Sequence, residues 1–179
     1  VTNENLVLWL RRHGACKAAL DWLGDRDPAT AWEECESPEW MIWACDHAGI
    51  PDSTMRLLAC RLVRETQMGD GRMVWDLLTD ERSRTAVEVA ERYARGEATN
   101  DELTAAAWAA ERAWASAAAR AAAFAAWATA AWAAARASEA ARAAAAWASA
   151  ANAAQCRIIR EMISVRDIES AMEANNDRI

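Results

Sequence analysis

The sequence predicts an all-α fold: a single compact multi-helix domain, residues 1–179, of about eight to ten helices around a long Ala/Trp-rich central helix or helical hairpin. Three observations predict it. Apolar residues recur at i, i+3, i+4, i+7 through the first 96 positions, and nothing alternates with the period of a strand. Gly and Pro sit between these stripes, where helices stop and start. After Gly96 the remaining 83 residues contain neither Gly nor Pro, and 31 of the 47 residues from 105 to 151 are Ala, the strongest helix former.

Taken in order, Leu6, Trp9, Leu10 and His13 share one helical face, and Gly14 ends that helix. A short segment, "ACKAALDWL", runs to Gly24. Asp27-Pro28 reads as the N-cap and first turn of a helix carrying Trp32 and Cys35, and Ser37-Pro38 repeats the signal. In the helix that follows, Trp40, Trp43, Ala44 and His47 form the predicted apolar face. Two more stripes come next: Met55, Leu58, Ala59, Leu62 and Val63, then Ala86, Val89, Ala90, Tyr93 and Ala94, with "MGDGR" at 68–72 as the loop between them. Residues 1–96 are thus a set of short amphipathic helices.

Residues 97–179 differ in kind. Thr99 and Glu102 form a capping box, and no strong stop follows for some fifty residues. A straight helix over 100–154 would be about 80 Å long, against an expected radius of gyration of ~16 Å. A bend near Ser138 or Asn152, or an elongated spine, is therefore expected. The uncharged stretch "AAAFAAWATAAWAAA" at 121–135 is poor in the large aliphatics of a membrane span, and Arg120 and Arg136 interrupt it at both edges. Its neighbourhood carries Trp108, Trp114, Phe124, Trp127, Trp132 and Trp147, too many aromatics for a disordered linker. These six scatter around the helix, which predicts burial on all sides as a central core. Ordinary patterning returns at Ile159, Met162 and Ile163, then Ile168, Ala171 and Met172.

Charge limits the class of function. The net charge of −7 disfavours direct binding to nucleic acid and suits a basic partner. Seven acids and a single base, Arg26, lie between Asp25 and Asp46; Glu33, Glu34, Glu36, Glu39 and Asp46 are the candidate protein-binding face. Five Cys without a C-x-x-C pair predict reduced, mostly buried thiols and a cytoplasmic protein, and no metal or cofactor motif is present. The two His give no catalytic constellation: His47 follows Asp46, and neighbours on a helix diverge. Inside the long segment, Trp108 with Arg112, Arg120 with Trp127, and Trp132 with Arg136 each place a guanidinium near an aromatic. Two readings stay open there: the arginines pair with acids such as Glu111 and Glu139, or they line a pocket that grips a phosphate beside a stacked base.

"WLRRHGACKAALDWL", "TAWEECESPEWMIWACDHAGI", "VEVAERYARGEAT", the Ala/Trp run and "CRIIREMI" occur in this order. Together they resemble a family of Trp- and Ala-rich bacterial and phage proteins described as immunity proteins of polymorphic-toxin systems. The resemblance implies a non-enzymatic immunity or inhibitor protein in microbial conflict, one that neutralises a basic toxin or defence effector. For phage members it implies counter-defence, where an Arg/Trp-lined pocket would sequester a nucleotide signal as a sponge. A structural or assembly protein forming a homo-oligomer is the third expectation.

Overall fold

The computed structural model describes residues 1–67, 69–110, 112 and 137–176, the side chains of 137–148 and 176 excepted. Along the chain these form α1 (Asn3–Arg12), α2 (Lys17–Leu23), α3 (Pro28–Glu34), α4 (Pro38–Ala48), α5 (Asp52–Glu65), a 3-10 turn (Val74–Leu77), α6 (Glu81–Ala94), α7 (residues 100–110), α8 (Ala137–Met162) and α9 (Val165–Asn176). The fold is all-α. Among the described residues, the one β-type pairing is an antiparallel bridge between Gln67 and Met73. The chain divides into two compact units, Val1–Met55 with Gln155–Ile179, and Arg56–Ala154. Their boundaries fall inside α5 and α8, not at the change of composition after Gly96.

In the first unit, local chemistry sets the helix starts. Asp27 caps α3 by accepting from the N–H groups of Ala29 and Thr30, each at 3.0 Å. The Thr30 hydroxyl also donates to Asp27, and these bonds hold the Asp27 carboxyl below its usual range. Ser37 Oγ accepts from the Trp40 N–H at 3.3 Å and starts α4. Pro28 and Pro38 occupy the first turns, where a missing N–H costs nothing.

The core of this unit joins the chain's two ends. Ile158, Ile159 and Ile163 are fully buried with Met41, Cys45 and Ala48 of α4, and α9 packs on α3 and α4. Trp32 Nε1 donates to the Ile163 carbonyl at 3.1 Å. Arg160 returns the tie by donating to the Trp32 carbonyl at 3.0 Å and to that of Cys35. Those carbonyls close α3, so one guanidinium satisfies acceptors that the helix leaves open.

Gly49 ends α4 in the left-handed region, at φ +88°. A Cβ there would stand 2.6 Å from Asn175 Nδ2, which donates to the Ala48 carbonyl at 3.1 Å. Gly49→Ala therefore imposes backbone strain and displaces the hydrogen bond that ties α9 to the end of α4. The expected loss is about 1–2 kcal/mol of stability in a denaturant titration. A midpoint equal to wild type would contradict this account of the α4 terminus.

In the second unit, Arg64 reaches from α5 to Glu91 of α6 with contacts of 2.6 and 3.2 Å, and its guanidinium lies 4.2 Å from the Trp75 ring centroid. Arg84 approaches the same ring at 5.5 Å. The predicted capping box at α7 is present: Glu102 N–H donates to Thr99 Oγ1 at 3.2 Å and Thr99 N–H to Glu102 at 2.8 Å.

The structure corrects four expectations. Asn152 does not break the chain, since α8 runs through it from Ala137 to Met162. The innermost face of α4 is Met41, Cys45 and Ala48, while Trp40, Trp43, Ala44 and His47 are half-buried one position around. On α5 it is Cys60 that is buried, and Ala59 is exposed. Trp108, expected in an all-round buried helix, is 58% exposed. The rest of that expectation, including the stretch 121–135, lies outside the described residues. No described helix is long and apolar enough to cross a membrane.

Candidate functional site: a tryptophan-lined cavity and an acidic face

A repeated spacing builds the aromatic wall of the first unit. Trp9 and His13 are four residues apart at the end of α1, and Trp43 and His47 are four apart at the end of α4. This spacing sets one ring over the next on a helix face. The centroids lie 4.4 Å apart in the first pair and 4.1 Å in the second. The pairs meet edge to face, with 6.0 Å between Trp9 and Trp43 and 6.1 Å between His13 and His47. Each histidine Nδ1 lies 2.9 Å from the tryptophan carbonyl one turn back. A carbonyl only accepts, so both Nδ1 atoms carry the proton and donate, which fixes the tautomer. Asp46 comes to 3.7 Å of His47 Nδ1 despite its adjacency, still beyond hydrogen-bonding range. Both histidines are thus bound into the helix ends.

Trp22 of α2 and Trp40 of α4 extend the wall, with centroids 5.9 Å apart. With Trp9, Trp32 and Trp43 they line an open-mouthed cavity of about 350 Å³ bounded by residues of α1–α4 and α9. Its charged lining side chains are two carboxylates, Glu39 and Glu169, and no arginine lines it. The size falls within the range of small-molecule sites, roughly 300–1,000 Å³.

The five predicted acidic residues are all exposed: Glu33 and Glu34 at the end of α3, Glu36 in the connection, and Glu39 and Asp46 on α4. Neutralisation is partial. Arg26 binds Glu34 at 3.0 Å, and Arg160 stands 3.9 Å from Glu33. Glu39 accepts from the Ser37 hydroxyl at 3.0 Å.

The proposed nucleotide pocket fares differently. Trp108 and Arg112 are both exposed and neither lines the cavity. Arg120, Trp127, Trp132 and Arg136 lie outside the described residues. Sequence reasoning placed the arginine–tryptophan chemistry on the long segment and missed the cavity among the N-terminal helices. The available signal was the repeated tryptophan–histidine spacing at 9–13 and 43–47.

The thiols are free, with Cys16 exposed and Cys35, Cys45, Cys60 and Cys156 buried. Burial pushes the Cys45 thiol up to about 12 and that of Cys156 to about 11, and raises those of Cys35 and Cys60. These four stay neutral near pH 7 and are poor nucleophiles. A thiol reagent applied to the native protein should modify Cys16 alone at a rapid rate, with the other four following only on unfolding. Rapid modification of a second thiol, located by peptide mass mapping, would contradict the packing of that site. No group of three or more metal-ligating side chains occurs among the described residues.

Comparison with protein-family models, curated proteins and solved structures finds no match to this chain.

Proposed function

We propose that the chain is a non-enzymatic binding protein of the immunity or inhibitor kind, docking a basic protein partner through Glu33, Glu34, Glu36, Glu39 and Asp46. One observation carries this reading: all five acids are exposed, on α3, on α4 and on the short connection between them. The core beneath holds the two short, capped helices that carry four of them, with Glu36 in the connection, so the negative charge is presented on a fixed scaffold. The resemblance to toxin-immunity proteins supports the same reading, with a toxin or a defence effector as the partner and the cytoplasm as the place of action.

The test is a paired capture from extract of the source cells, with the wild-type chain and a Glu33→Lys, Glu36→Lys, Asp46→Lys variant as baits. Glu34 is spared because it holds Arg26, and Glu39 because it borders the cavity. The expected result is a basic polypeptide held at low salt by wild type, released by added salt and absent from the variant. Equal capture by both baits, or none by either, would overturn the assignment.

A further inference from the structure

We propose that the tryptophan-lined cavity binds a small amphipathic organic cation, with its amine or ammonium head beside Glu39 and its apolar or aromatic body among the indoles. This site shares Glu39 with the proposed protein-docking face, but its ligand need not touch Glu33, Glu36 or Asp46. Three observations point to that ligand class.

First, the lining is aromatic on several sides, from Trp9 of α1, Trp22 of α2, Trp32 of α3, and Trp40 and Trp43 of α4. Indole is the side chain whose π face best attracts a cation. One of these indoles already has a cation against it, the Arg26 guanidinium carbon lying 4.8 Å from the Trp22 ring centroid.

Second, the charged side chains of the lining are both carboxylates, the cationic Val1 amino group being paired with one of them. Of the two carboxylates, Glu169 stands 3.2 Å from the Val1 amino nitrogen. Glu39 has the Ser37 hydroxyl as a hydrogen-bond partner and no cationic partner among the described residues. A phosphate or carboxylate ligand would meet like charge with no arginine to offset it. A cation would find its counter-ion at the rim and displace no existing ion pair there.

Third, a volume of about 350 Å³ exceeds what one inserted side chain fills and suits a compact small molecule. Met41 and Met172 belong to the same lining, and their unbranched thioethers adapt to the shape of an apolar body.

Three probes on one skeleton separate the contributions: phenethylamine as the cation, 2-phenylethanol as the neutral analogue and phenylacetate as the anion. Each is titrated calorimetrically into the full chain, alongside a thermal melt. Phenethylamine should bind at least about tenfold more tightly than phenylacetate, with 2-phenylethanol between them. Glu39→Gln should weaken phenethylamine by roughly fivefold and leave 2-phenylethanol unchanged. Glu39 is exposed, so this change spares the core. Ala44→Leu, which fills part of the lining, should weaken all three probes, with far-UV circular dichroism confirming that both variants remain helical. The proposal is overturned by phenylacetate binding as tightly as the amine, by an amine affinity unaffected by Glu39→Gln, or by no heat or melting shift with any probe at millimolar concentration.

Discussion

Replacing Ile159 with Ala is expected to destabilise the first unit by about 2–5 kcal/mol. Ile159 has no exposed surface and lies in the last two turns of α8, beside the equally buried Ile158 and one turn before Ile163. Removing its side chain leaves a void where the C-terminal end of α8 meets the N-terminal helices. The void also loosens the turn whose Ile163 carbonyl accepts the Trp32 indole N–H. A domain of ordinary stability has only about 5–15 kcal/mol in total, so the substitution removes a large share of it. Arg157→Ala, two residues earlier, is the contrast. It removes an exposed ion pair with Glu161, 2.7 Å long, and should cost no more than about 0.5 kcal/mol. Denaturant titrations of both variants check the pair, and similar midpoints would contradict the placement of the core.

The second large effect concerns association. Glu33→Lys, Glu36→Lys and Asp46→Lys together change the formal charge by +6, from −7 to −1. If the acidic face steers a basic partner, the association rate at low ionic strength should fall about tenfold or more, with a smaller change in dissociation. A matched variant, Glu81→Lys, Glu88→Lys, Glu97→Lys, makes the same change of net charge on exposed residues of α6 and the turn after it. Local steering predicts a much smaller effect from the matched variant, because it leaves Glu33, Glu36 and Asp46 themselves unchanged. A response to net charge alone predicts the same effect from both.

The helix starts at Asp27-Pro28, Ser37-Pro38 and Thr99–Glu102 were legible because a cap is local: its donor and acceptor lie within three residues. The exposure of the five acids was legible for a related reason, since charged residues without a buried partner stay at the surface. The inner seams were harder to read. On α4 the sequence puts the bulky Trp40 and Trp43 inward, yet Met41, Cys45 and Ala48 are the residues fully buried. Neighbouring positions differ by only ~100° around a helix, and large rings serve better beside such a seam, where they line the cavity. Asn152, a poor helix former, suggested a break, but its Ala-rich flanks carry α8 through it. The cavity itself needs α1–α4 and α9 in place together, and α9 lies more than a hundred residues beyond α4 in the chain. No local pattern encodes that meeting, although the repeated tryptophan–histidine spacing marked the two helix ends that join in it.

The most direct test of the docking claim compares association rates of wild type, the acidic-face variant and the matched variant with the captured basic partner at low ionic strength. The account predicts that the face variant associates about tenfold or more slowly, that the matched variant stays close to wild type, and that the difference collapses in high salt. Equal rates for the two triple variants would contradict it.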